Sequence, residues 1–269
     1  MATENVMSAE PAGAIRGEPV LTATGLVKAF GGLQVISGFD MQIRRGEILA
    51  LIGPNGAGKT TVFNLLCGSL PPDAGRVEFG GRDITRLSQH RIARLGIGRM
   101  YQDLRLFDSL SVRDNVAVYC QAESSLGLTR AVLRPLSQVR AERVVTDEVA
   151  RVLDRFGLSA LAAARADQIS YAERKLVALA RLFASRSRLL LLDEPASGLD
   201  EGEQATIAAA IRRLTADGLT VCIVEHNMGL VRALADRVCF LAQGQMLADG
   251  TPDEVFEASH LAEIYFGAG

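Results

Sequence analysis

Three stretches of the chain are apolar with almost no break: Ile48-Leu49-Ala50-Leu51-Ile52, Leu189-Leu190-Leu191-Leu192 and Leu219-Thr220-Val221-Cys222-Ile223-Val224. Runs this short with no polar face predict strands buried on both sides, as in a parallel sheet. Elsewhere polarity alternates. Phe39, Met41 and Ile43 are separated by polar residues and lead into a turn at Arg45-Gly46. Segments 20–28 and 33–44 therefore read as short strands. Phe30 falls between them in a glycine-flanked loop. Pro71 to Gly75 and Gly80-Gly81 are turn clusters, with a short strand at 76–79 between them. Further strands are expected at 97–101, 238–242 and 245–248.

Helical spacing marks 61–66, 88–95, the segment opened by Ile169, and a final helix from Pro252 to Tyr265. In the third of these, Leu176, Leu179, Ala180 and Phe183 recur at core spacing. Ser170 with Glu173 three residues on fits a capping box. Residues 103–168 are dominated by helical patterns, with a capped start at Ser111 to Val116. Loops are expected within them at Leu126-Gly127-Leu128 and Arg134-Pro135. The arginines between Arg130 and Arg155 read as a solvated face. Residues 1–18 carry no sustained apolar periodicity and read as a tail.

With 269 residues, 48% of them hydrophobic, the chain can build one large domain or one domain with an inserted lobe. A net charge of −2 supplies no basic field, which argues against a nucleic-acid partner. No apolar run approaches the roughly 20 residues of a membrane span, and the N-terminus lacks a basic-then-apolar signal pattern. A cytosolic chain is expected. Cys67, Cys120, Cys222 and Cys239 are far apart and form no metal-type pair, so they read as reduced core residues.

Candidate chemistry centres on Gly53-Pro54-Asn55-Gly56-Ala57-Gly58-Lys59-Thr60, which fits the phosphate-loop pattern G-x-x-x-x-G-K-[ST]. Its glycines let backbone N–H groups converge on one hollow. Lys59 can sit between terminal phosphates, and the Thr60 hydroxyl can ligate a nucleotide's Mg²⁺. Thr61 follows in a helix whose N-terminus would face the anion. A buried strand before the loop and a helix after it are the context this motif requires. Asp193 and Glu194 emerge at the end of the leucine strand, where ligands sit in parallel sheets. Asp193 there suits Mg²⁺, and Glu194 suits a base for an attacking water. Glu225-His226 ends another strand, and His226 can bond a terminal phosphate.

With these motifs in order, the chain resembles the ATP-binding subunits of ABC transporters over roughly residues 20–266. Phe30 matches the family's adenine-stacking aromatic. Gln102 matches the glutamine that contacts Mg²⁺ or water and senses the membrane partner. Ile169 to Glu173 occupies the signature position, Ser197-Gly198-Leu199-Asp200 the loop that crosses the dimer interface, and His226 the switch histidine. A narrower resemblance, to the ATPases of branched-chain amino acid importers, rests on Tyr101 to Phe107, Val224 to Met228, Gly250-Thr251-Pro252 and Ile264 to Gly267. ATPases of lipopolysaccharide export and of urea or amide import are similar as well.

The resemblance implies an α/β P-loop NTPase fold, with a RecA-like core and a small antiparallel β subdomain at 19–102 and 169–250. It also implies an inserted α-helical subdomain at 103–168 and a C-terminal helix at 251–269. ATP and Mg²⁺ are the implied ligands, with Thr60, Gln102 and Asp193 at the metal and Glu194, His226 and Gln102 catalytic. Two copies, or this chain and a second ATPase, would sandwich two ATP molecules, each phosphate loop facing the other chain's Ser170. Permease subunits and a substrate-binding protein are implied partners, and the chain itself is implied to sit peripherally on the cytoplasmic face of the inner or plasma membrane. The signature departs from the family's L-S-G-G-Q or L-S-Y-G-Q: Ala172 replaces a glycine and Glu173 an amide, which predicts weakened rather than lost function. Rival readings are an exporter of lipid or glycolipid and a weakly hydrolysing regulatory module. A repair ATPase would need a far longer insertion between Gln102 and Ser170.

Overall fold

The computed structural model describes residues 17–121 and 135–257. Two sheets organise it. The first is antiparallel, with β1 (Pro19–Phe30), β2 (Leu33–Arg44), β4 (Ala74–Phe79) and β5 (Arg82–Asp83) in the order β2-β1-β4-β5. The second contains β3 (Ile48–Ile52), β6 (Ile97–Met100), β7 (Leu189–Asp193), β8 (Thr220–Val224), β9 (Arg237–Ala242) and β10 (Gln245–Gly250). Its order is β10-β9-β3-β8-β7-β6, parallel except for the β9–β10 hairpin.

The unbroken apolar runs follow from burial on both faces. In β3, Ile48, Ala50 and Ile52 face one core cluster, while Leu49 and Leu51 face the other. In β7, Leu190 and Leu192 divide from Leu189 and Leu191 in the same way. Side chains alternate along a strand, so a strand between two cores has no polar face. On one side, α1 (Lys59–Leu66) and the antiparallel sheet cover the parallel sheet. On the other lie α3 (Val112–Gln121), α4 (Pro135–Arg155), α5 (Tyr171–Ala184), α6 (Glu201–Ala216) and α7 (Met228–Leu234). Short helices α2 (Gln89–Leu95) and α8 (Pro252–Glu257) complete the described elements. Among the described residues, no helix is long and apolar enough to cross a membrane.

Several boundaries differ from expectation. β1 runs on to Phe30, because the glycine turn is confined to Gly31-Gly32, so Phe30 ends a strand rather than lying in a loop. Ala74 and Gly75 belong to β4, where Ala74 pairs with Val27. Tyr101 falls outside β6, which ends at Met100. Pro135 opens α4 rather than sitting in a loop, as proline is tolerated in a helix's first turn. The final helix is described as far as Glu257. The expected loop at 126–128, Arg134, residues 258–269 and the tail to residue 16 lie outside the described residues. Both predicted helix starts are capped: Ser111 Oγ accepts the Asp114 N–H at 3.0 Å, and Ser170 with Glu173 forms the capping box. The described cysteines are free thiols, and burial pushes Cys222 and Cys239 up and away from reactivity.

One buried ion pair joins the two sheets. Arg237 on β9 donates to Glu47 at 2.8 and 3.2 Å and to Asp249 on β10 at 2.7 Å, and it also bonds the Gln42 carbonyl on β2. Glu47 is 1% exposed and Arg237 7%. Removing one partner of such a pair leaves a buried charge with too few partners. Glu47→Gln is expected to lower the unfolding free energy by about 3 kcal/mol, read as a fall in the urea midpoint with an unchanged slope.

Candidate functional site

Parallel pairing puts the carboxyl ends of four neighbouring strands along one edge. Leu51 pairs with Val224, Val224 with Asp193, and Leu192 with Met100. The residues that follow these ends are Gly53, Glu225, Glu194 and, two residues past β6, Gln102. Four separate stretches of sequence therefore meet in one row.

The loop after β3 is preset. Gly53 has φ 150°, and a Cβ placed there would lie 1.9 Å from the Leu241 carbonyl oxygen of β9. No other residue fits. Gly58, at φ 105°, turns the chain into α1. Ala57 is buried, while Asn55 and Gly56 are exposed at the mouth and Pro54 is half-buried. Lys59 Nζ donates to the carbonyls of Gly53 at 2.7 Å and Pro54 at 2.9 Å, which bends it across the loop. Burial lowers its pKa, and the nearby Glu194 and Asp193 carboxylates oppose the shift. Thr60 is exposed and Thr61 half-exposed on the first turn of α1.

Glu194 holds the centre of the row in a left-handed conformation, φ 49°. For a residue with a side chain this is strained, by about 1–3 kcal/mol. Its N–H donates to the Val224 carbonyl at 2.9 Å. Its carboxylate is gripped from both sides: His226 Nε2 lies 3.0 Å from Oε1, and Gln102 Nε2 donates to Oε2 at 3.2 Å. The three residues expected to be catalytic from separate strands are thus one hydrogen-bonded group. Asp193 is buried beside them, and burial raises its pKa against the pull of Arg99, whose guanidinium stands 3.5 Å away.

The remaining expected residues fall in two other places. Phe30 is 48% exposed at the end of β1, with Lys28 Nζ 5.7 Å from its ring. Ser170 and Glu173 bond each other rather than the phosphate loop: Glu173 N–H donates to Ser170 Oγ at 3.2 Å, and Ser170 N–H to Glu173 Oε2 at 2.7 Å. The Glu173 carboxylate is therefore committed to the helix start. The Ala172 methyl packs partly against the core. Asp200 caps α6 with a second capping box.

Two charged residues of the site, Arg99 and Lys175, escape motif reading, and Glu225, which the sequence puts at a strand end, receives no role there. Arg99 donates to Asn64 Oδ1 on α1 at 2.6 Å and faces Asp193, with Phe63 and Tyr101 rings 5.9 and 4.4 Å away. Glu225 is 3% exposed; it accepts the Ala196 N–H at 2.9 Å and the His226 N–H at 3.3 Å, and burial raises its pKa. Lys175 is buried on α5. The available signal was a charge inside an otherwise apolar strand or at a core position of a helix.

The chain is similar in sequence and fold to known proteins. The family pattern described as ABC transporter matches residues 36–197. The branched-chain amino acid transport ATP-binding protein BraF of Pseudomonas aeruginosa is 34% identical, covering 93% of this chain and 98% of its own length. LivG of Salmonella typhimurium, named for the same transport, is 35% identical with the same coverage. LptB of Escherichia coli, named for lipopolysaccharide export, is 35% identical over 92% of this chain and 97% of its own. Among solved structures, an ATP-binding cassette of an ABC transporter in its ADP conformation aligns with a TM-score of 0.80 at 26% identity, covering 93% of this chain and all of that one. A phosphate loop, a gripped glutamate and matches of this extent together place the chain in the ABC transporter family, as an ATP-binding subunit that hydrolyses ATP.

Proposed function

We propose that this chain powers uptake of a small solute, a branched-chain amino acid or a close chemical relative, from the cytoplasmic face of the membrane. The observation that carries hydrolysis is the gripped Glu194 carboxylate beside the phosphate loop. The amino-acid assignment rests on the similarity to BraF and LivG. ATPase subunits of ABC importers work with transmembrane permease subunits. A substrate-binding protein and a second ATPase chain, identical or not, complete the proposed assembly.

In this reading residues 53–61 wrap the phosphates and Phe30 stacks on the base. Ser170, Ala172, Glu173 and Asp200 face the nucleotide of the second ATPase chain. Glu194 accepts the proton of the attacking water. His226 and Gln102 hold its two carboxylate oxygens, so the group needs no search among rotamers before reaction. Residues 19–102 and 169–250 form the nucleotide core, with 103–168 a helical lobe and 251–269 the C-terminal segment. Mg²⁺ suits this donor set: the Thr60 hydroxyl, the Asp193 carboxylate and the Gln102 amide are hard oxygen donors. When bound, the ion neutralises phosphate charge.

Glu194→Gln is expected to cut turnover by at least about a hundredfold while ATP still binds. Steady-state phosphate release and nucleotide titration check this, and parental turnover would sink the proton-acceptor role. In light scattering, the same variant is expected to dimerise with ATP and remain monomeric with ADP. A monomer in both nucleotides points to a different ATPase chain as partner or to a required membrane scaffold, which co-purification of the native complex separates.

The substrate reading is tested by co-purifying the native complex and sealing it into vesicles. ATP-driven uptake of labelled leucine, isoleucine or valine is the expected result. ATP-driven extraction of a glycolipid instead would move the chain to the export reading that LptB represents.

A further inference from the structure

Lys175 is 1% exposed on α5. A buried ammonium is unfavourable unless polar partners replace its water, and an apolar side chain at this position would avoid that penalty. Burial lowers its pKa, while the Glu225 and Glu194 carboxylates oppose the shift. What Lys175 touches is specific. Nζ donates to the backbone carbonyl of Glu194 at 3.0 Å and to Ser197 Oγ at 3.4 Å, and it lies 5.0 Å from the Tyr171 ring centroid.

Glu194 needs such holding. Its left-handed backbone persists only where surrounding groups fix it. Its carbonyl oxygen accepts from Lys175 Nζ, from Ser197 N–H at 3.2 Å and from Ser197 Oγ at 3.1 Å. These bonds set the peptide from which the carboxylate projects to His226 and Gln102. Lys175 stands on the helix whose first turn carries Ser170 to Glu173. Ser197 begins the loop that ends at Asp200, the cap of α6. Tyr171 lies close to Gly198 of that loop, 3.5 Å from where a Cβ there would sit.

We propose that Lys175 is a positioning residue for hydrolysis. It ties the first turn of α5 and the Ser197–Asp200 loop to the backbone of Glu194, so the carboxylate is aligned only when both segments are in place. This rests on the reading of Glu194 as proton acceptor. Lys175 acts through the Glu194 peptide and reaches no residue of the phosphate loop, so nucleotide affinity is independent of it.

Lys175→Met, Lys175→Arg and Glu194→Gln in the full chain separate the possibilities. The readouts are kcat, KM for ATP, Kd for a fluorescent ATP analogue with Mg²⁺, and Tm. Lys175→Met is expected to lose about 10- to 100-fold in kcat with KM and Kd unchanged, and Lys175→Arg to recover most of the loss. If Lys175→Met turns over like the parent while Glu194→Gln is inactive, the lysine proposal falls alone. If Kd rises as kcat falls and arginine restores neither, Lys175 only supports the fold and the proposal also falls. Parental turnover in Glu194→Gln removes the proton-acceptor reading and the lysine's role with it. Should Lys175→Met fail to fold, Lys175→Gln removes the charge, is one atom too short to hold the Glu194 carbonyl, and carries the same expectation.

Discussion

Strands buried on both faces can keep polar groups only at their ends. That constraint organises this molecule. β3, β7 and β8 are apolar throughout their length apart from Asp193 and Thr220 at their ends, and each hands over to a polar or glycine-rich segment at its carboxyl end. Because the strands run parallel, those ends share an edge. Two hydrophobic cores thus determine where the chemistry collects.

Collecting it there creates an electrostatic difficulty. Asp193, Glu194 and Glu225 lie close together in a partly dehydrated edge, and burial already raises the pKa of two of them. The chain interleaves cations: Arg99 beside Asp193, Lys59 across the loop, and Lys175 beneath Glu194. Each also binds backbone or helix, so it balances charge and fixes geometry together. The strain at Glu194 belongs to the same arrangement, since a left-handed turn aims its carboxylate between His226 and Gln102.

The parallel sheet and the preset glycine loop that leads into α1 were legible in sequence because both leave local marks: unbroken apolar runs, and glycines at fixed spacing before Lys59. The gathering of Gln102, Glu194 and His226 came from motif order and strand ends rather than from spacing, as they are far apart in the chain. Arg99 and Lys175 were hidden for the opposite reason. Their partners, Asp193, Asn64, Ser197 and the Glu194 carbonyl, are distant in sequence, and a lone basic residue usually reads as surface. Phe30 and Ala74-Gly75 were misplaced because glycines near a strand end cannot say which residue starts the turn. Pro135 was misread because proline marks a helix's first turn as readily as a loop.

The bent Lys59 has an implication for how nucleotide comes and goes. Its ammonium already has two carbonyl partners, at 2.7 and 2.9 Å. On the proposed reading, an arriving phosphate exchanges with those bonds rather than satisfying a bare charge. The net gain in affinity is correspondingly smaller than the raw attraction. The same exchange eases departure, because the lysine returns to its carbonyls as product leaves. On that reading, the residue that holds the phosphate would also contribute to releasing it.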